Sequence, residues 1–318
     1  MKITTITLLA LIFSFITPCL AIKSFEITNL INSAKQGDII SQFSLGCIYL
    51  NGGKEIKQNI PEGIKWLKKS GEQGDAGSFF ILGAVYMKGG NGVSVNTNIA
   101  WQYIKKAAKL DHWDAQLLLA TGYFLGNMGL PKDLNKTILW LTKAADNGNV
   151  KAQAMLGELY RNPPSPEFKN ISLAIKYLKK AAEQDDAESQ AKLSWHYEKG
   201  KGIIKDQIKA LEWLRRAALT GENPIFANRL AMFCDKGMII EVNHAMAYAW
   251  ATIAAGKGMP QVRNLFDKKY TLEERLQGLG YAKILIKESI SIRGNAMKSS
   301  EKRHSPHHEF LIKKIIKK

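Results

Sequence analysis

Apolar and polar positions in this chain recur on a stride of 37 residues. A tyrosine stands at Tyr49, Tyr86, Tyr123, Tyr160 and Tyr197, and the next step lands on Cys234. Four residues before each of these comes a leucine: Leu45, Leu82, Leu119, Leu156, Leu193 and Leu230. Residues at i and i+4 share one helix face, so each Leu–Tyr pair marks an apolar stripe. The residue after each leucine is small (Gly46, Gly83, Ala120, Gly157, Ser194, Ala231), which lets a neighbouring helix approach closely. Further along each unit stands a second aromatic, Trp66, Tyr103, Trp140, Tyr177, Trp213 or Trp250, ahead of an alanine-rich stretch such as Lys106-Ala107-Ala108. The spacing predicts two amphipathic helices per unit, and a strict period of this length predicts a stacked array.

Punctuation agrees with the period. Asn59, Asn96, Asp133, Asn170, Asp206 and Asn243 share one register, seven residues before the second-helix aromatic. Asn and Asp are preferred N-caps because their side chains accept an orphan backbone N–H. Glycines fall between the two helices (Gly52-Gly53, Gly89-Gly90, Gly126, Gly200, Gly202, Gly237) and at the expected second-helix ends (Gly74, Gly148, Gly221). These fit turn and C-cap positions.

The run Ala152-Gln153, Leu156-Gly157, Tyr160 and the run Ala210-Leu211-Glu212-Trp213-Leu214-Arg215-Arg216-Ala217-Ala218 resemble the Sel-one-like repeat family, relatives of the tetratricopeptide repeats. The resemblance implies an all-α fold, an α/α right-handed superhelical solenoid of six helix–loop–helix repeats with capping helices. It also implies bacterial export, often an envelope or host-facing adaptor role, and protein binding on a concave face lined by first helices. Departures are Pro163-Pro164-Ser165-Pro166 in place of a glycine loop, and Cys234 in place of the sixth tyrosine. The expected boundaries are a signal peptide at 1–21, an N-terminal capping helix at 22–37, repeats at 38–258, a closing helix at 259–296 and a basic flexible tail at 297–318.

The signal-peptide reading rests on Lys2, an apolar core from Ile6 to Ile16, and small residues before a cut after Ala21. Lipidation at Cys19 is the alternative, and Pro18 disfavours it. Export predicts a periplasmic or secreted chain. Only Cys47 and Cys234 remain after the cut, in the first and sixth units, too far apart in a stack for a disulfide. They read as small buried hydrophobes. The net charge is +17, of which +7 lies from Tyr281 onward. Within that stretch, Phe310-Leu311-Ile312-Lys313-Lys314-Ile315-Ile316-Lys317-Lys318 alternates apolar and lysine pairs, a pattern suited to an anionic membrane surface. A solvated basic end without a role is the other reading. Thr271-Leu272-Glu273-Glu274 is a capping box that starts the closing helix, with Leu272, Leu276, Leu279, Ile286 and Ile290 as its apolar positions.

Catalytic signatures are sparse. The chain lacks a phosphate-binding glycine loop and a nucleophile elbow. His196 reads as a partly exposed structural histidine. His304, His307 and His308 are the only metal-like grouping, without evident supporting partners. No enzyme, cofactor, metal or nucleic-acid partner is expected, and a cell-wall-modifying enzyme is the minor rival. A binding surface is the better reading. Counting from each repeat leucine predicts an apolar groove end, with Ile40, Phe43, Leu50, Phe80, Met87, Leu117 and Phe124, and a polar end, with Glu158, Arg161, Trp195, Glu198, Asn228 and Asp235. Phe80, Phe124, Arg161, Trp195 and Glu198 are the candidate contacts for a protein or peptide. The apolar members also fit simple packing between adjacent helices.

Overall fold

The computed structural model describes residues 24–52, 56–90, 92–126, 129–237 and 241–303. The described residues form fifteen α-helices and no strand. In chain order these are α1 (Ser24–Lys35), α2 (Ile39–Asn51), α3 (Ile60–Glu72), α4 (Ala76–Lys88), α5 (Thr97–Lys109), α6 (Trp113–Leu125), α7 (Leu134–Asp146), α8 (Val150–Arg161), α9 (Ile171–Glu183), α10 (Ala187–Lys199), α11 (Gln207–Thr220), α12 (Pro224–Lys236), α13 (His244–Gly256), α14 (Pro260–Lys269) and α15 (Leu272–Arg303). They divide into two compact units, residues 1–152 and 153–318.

Every second helix starts where cap chemistry places it. The side chains of Asn59, Asn96, Asp133, Asn170, Asp206 and Asn243 each accept a backbone N–H three residues on. The backbone N–H of the same residue donates to the carbonyl of the repeat tyrosine, as in Asn59 to Tyr49 at 2.8 Å and Asp133 to Tyr123 at 2.9 Å. Cys234 keeps that bond in the sixth repeat through its carbonyl, which accepts from Asn243 at 2.9 Å. The first helices carry caps of their own, at Asp38, Asp75, His112, Asn149, Asp186 and Asn223. The left-handed turn after the second helix recurs at Gly74, Asp111, Gly148, Asp185 and Gly258, and Gly37 repeats it after α1. Gly221, expected there, has a φ of −84° and is an ordinary extended residue.

Two features lock the helices together. One is close approach at the small residue after the repeat leucine. A Cβ on Gly46 would sit 2.7 Å from Leu67, one on Gly83 2.5 Å from Ile104, and one on Gly157 2.7 Å from Leu178. In each case the second helix of the same repeat fills the space that a side chain would need. The other is a buried glutamine three residues before the leucine. Gln42, Gln116 and Gln190 donate to the carbonyls of Ala34, Ala108 and Ala182 at 3.0–3.1 Å, on the preceding helix. Their own carbonyls accept from Gln73, Asn147 and Thr220 at 2.8–3.2 Å, at the end of the second helix. Gln153 and Gln184 repeat this latter bond at 2.7 Å. Gln42, Gln116 and Gln190 each add a second hydrogen bond to a helix-end carbonyl that the following turn already engages, and so tie the first helix to the end of the helix before it.

In the first unit the core runs through Leu67, Leu82, Ile104, Leu119 and Trp101. In the second it is built on Leu214, Leu230, Tyr248, Trp250 and Phe266, with Leu193, Ile175 and Ala182 forming a smaller cluster. Cys47 and Cys234 are both free and buried.

The end of the chain departs from the sequence reading in three ways. A separate helix, α14, precedes the closing helix and contributes Val262, Phe266 and neighbouring Tyr270 to the core. The closing helix packs by its small stripe, not its large one. Gly278, Ala282, Leu285 and Ser289 face inward, and a Cβ on Gly278 would lie 2.6 Å from the Ala245 carbonyl. Leu272, Leu276, Ile286 and Ile290 stay 48–66% exposed. Finally, α15 continues through Arg303, seven residues into the segment expected to be tail. The signal-peptide, histidine-cluster and lysine-pair readings fall on residues 1–21 and 304–318, outside the described residues. Among the described residues no helix is long and apolar enough to cross a membrane.

Candidate functional site

The second unit places its first helices α8, α10 and α12 in successive repeats, and their polar positions form a row of paired charges. Arg161 donates to both carboxylate oxygens of Glu158, at 2.8 and 3.0 Å from Nη2 and 3.2 Å from Nε. Lys192, on the next first helix, reaches the same carboxylate at 3.1 Å. Glu198 pairs with Arg229 on α12 and with its neighbour Lys199 at 2.8 Å. Asp235 accepts from Lys269 at 2.6 Å and from the hydroxyl of Tyr270. An acid on one first helix therefore meets a base on the next, and the last acid meets the end of α14.

The electrostatics follow from partial burial. Burial alone would push the Glu158 carboxyl up, but the Arg161 and Lys192 hydrogen bonds outweigh it and hold the group below the usual carboxylate range. Asp235 is handled alike: burial is overcome by Lys269 and Tyr270. These acids stay ionised, and the row keeps its alternating charge under ordinary conditions.

Trp195 lies half-buried in this row. Its ring meets His196 edge-on at 5.1 Å, and Lys201 Nζ stands 5.3 Å from its centroid. His196 itself is 1% exposed, not partly exposed as the sequence suggested. Its Nδ1 lies 2.7 Å from the Lys201 carbonyl, which can only accept, so Nδ1 carries the proton. Nε2 then presents a lone pair in the interior without a hydrogen-bond partner. Burial pushes the imidazole pKa down, opposed by the Lys201 carbonyl bond and aided by the nearby Arg161 charge. The folded state therefore holds His196 neutral while the unfolded chain takes up a proton near pH 6.5. The unfolded state binds more protons below that pH, so stability should fall as the solution is acidified through it and stay level above it. Denaturant titrations at several pH values should show this slope, and His196→Gln, which can keep the bond to Lys201, should flatten it. An unchanged slope would show that His196 is not its source.

Of the five candidate contacts, Arg161, Trp195 and Glu198 lie on consecutive first helices of this unit, at half-buried positions. The other two belong to the first unit. Phe124 is half-buried. Phe80 is 6% exposed and stacks on His112 with centroids 4.6 Å apart. It is a packing residue between successive repeats, a correction to the reading that put it on an open face. Met87 and Leu117 are buried with it, so the expected apolar groove end is largely internal. Sequence reasoning missed Lys192 and Arg229. The signal was present, since each stands directly before its repeat leucine, but only the pairing across repeats gives that register a meaning.

Cys234 does not add a nucleophile to this row. Burial pushes its thiol up to about 11, so it remains protonated. Among the described residues no group of three or more His, Cys, Asp or Glu side chains is placed to hold a metal ion.

Known proteins resemble this architecture. A Sel1 repeat protein from Oxalobacter formigenes is 28% identical, with a TM-score of 0.63, and the match covers 83% of this chain and 74% of that one. A protective antigen present in uropathogenic Escherichia coli strains, displaying an SLR fold, is 27% identical with the same TM-score. That match covers 88% of this chain and 59% of the antigen, so the chain spans about three fifths of that relative's length. No curated protein matches the chain. The family model for the Sel1 repeat matches residues 39–75, 80–112, 113–149, 150–186, 187–221 and 224–259. With six repeats in register over most of its length, the chain belongs to the Sel1 repeat family.

Proposed function

We propose that this protein is an exported, non-catalytic scaffold that binds a protein or peptide on the first-helix face of its second unit. Sel1 repeat proteins generally mediate protein–protein interaction and are typically scaffolds without catalysis. The observation that carries the finer reading is the row Glu158, Arg161, Lys192, Trp195, Glu198 and Arg229. These side chains are half-exposed, and the charged ones are held by pairing, Arg161 with Glu158 within α8, and Lys192 with Glu158 and Arg229 with Glu198 across successive first helices. Pairing fixes their rotamers before a partner arrives, which lowers the ordering cost of binding. Arg and Trp are the residue types most often found to dominate interface energetics. The row offers alternating charge around one aromatic anchor, the surface chemistry that an extended segment of mixed charge would complement. The likeness to a protective antigen supports the export part of this reading.

Panning a random peptide library on immobilised protein tests the proposal with a defined probe. Selected peptides should share a charge pattern and should be displaced from the wild type by one another. Selection that enriches no common sequence, or peptides that map to the second helices by cross-linking, would overturn it.

A further inference from the structure

The closing helix leaves most of its best apolar stripe open, with only Leu279 packed partly against the core. Leu272, Leu276, Leu279, Ile286 and Ile290 follow a 4-3-7-4 spacing, with Lys283 filling the missing step of a heptad seam. Leu272, Leu276, Ile286 and Ile290 are 64%, 60%, 48% and 66% exposed, on a helix whose neighbouring stripe is fully used against α11 and α13. The seam runs about 28 Å along the axis.

We propose that this stripe pairs with the same stripe of a second copy of the chain, the two α15 helices lying antiparallel. Antiparallel pairing in one register puts Leu272 opposite the second copy's Ile290 and Leu276 opposite its Ile286. Lys283 then faces Leu279 at the centre. Flanking charges favour this arrangement. Glu273 and Lys287 occupy equivalent flanks at opposite ends of the seam, so antiparallel pairing brings each to within about 3 Å along the axis of its opposite in the other copy. A parallel pair would leave Glu273 and Lys287 on opposite sides of the seam, without this pairing. A lysine at one seam position costs stability and selects a register, as polar residues at such positions do in coiled coils. Glu273 and Glu274 at the start of the seam count against an anionic membrane as the occupant. A seam this short fits a reversible dimer in about the micromolar range.

Sedimentation velocity of the full chain over a dilution series tests this. The expected result is a reversible monomer–dimer equilibrium. Ile286→Glu with Ile290→Glu should give monomer at every concentration with an unchanged melting curve, since both positions are solvent-exposed. Glu273→Lys alone or Lys287→Glu alone should weaken the dimer about tenfold, and the two together should restore it. A wild-type chain that stays monomeric throughout overturns the proposal. So does a dimer that survives the isoleucine double variant, or a charge-reversed double variant no tighter than either single one. Monomer in solution that pellets with anionic vesicles, and loses that binding in the isoleucine variant, overturns it in favour of a lipid surface. None of these outcomes depends on the peptide-binding face of α8, α10 and α12.

Discussion

Replacing Leu156 by alanine should lower the stability of the protein by about 2–5 kcal/mol, the cost of truncating a fully buried leucine. Leu156 has no exposed surface, and the residue beside it, Gly157, is pressed against Leu178 of the second helix. That contact leaves the neighbouring helix little freedom to collapse into the space left behind. Urea denaturation followed by circular dichroism reads the effect as a lower midpoint with a similar slope. A midpoint unchanged within error would mean that the repeat register is misplaced.

Phe266→Ala should cost more, about 3–5 kcal/mol. Phe266 is 1% exposed and packs at 5.2 Å from the ring of Tyr270. Its loss should loosen Tyr270, whose hydroxyl holds Asp235 at the end of the first-helix row. The expected observation is a lower unfolding midpoint together with faster amide exchange in α12 and α14. A variant as stable as the wild type would mean that α14 is a dispensable appendage and not part of the core.

These two residues also mark how far the fold could be read from the chain. Leu156 was legible because one leucine, one small residue and one tyrosine recur in a fixed register, and only a stacked helix pair makes use of all of them. The second-helix caps were legible for a local reason, since an Asn or Asp side chain needs nothing more distant than its own next turn. Phe266 was not legible. It lies after the period ends, in a short helix whose place is decided by Tyr248, Val262 and Tyr270 and not by any local pattern. The closing helix misled for a related reason. Its large residues are the apolar pattern the sequence displays, whereas close approach favoured Gly278 and Ala282, which let α15 lie against α13. The positions of the candidate contacts on first helices were readable, but their exposure was not. Met87 and Arg161 stand at the same place in their repeats, five residues after the leucine, yet Met87 is buried while Arg161 pairs with Glu158 at a half-exposed position.

The binding proposed for the first-helix face assigns its anchors to Arg161 and Trp195. The most direct measurement is a calorimetric titration of a library-selected peptide into the wild type and into the Arg161→Ala, Trp195→Ala double variant. Glu158 keeps Lys192 as a partner in that variant, so the fold should survive, and its melting curve serves as the check. The peptide's affinity should fall by at least about tenfold, as expected when interface anchors are removed. Equal affinity in a folded double variant would contradict that assignment and move the binding surface elsewhere on the repeats.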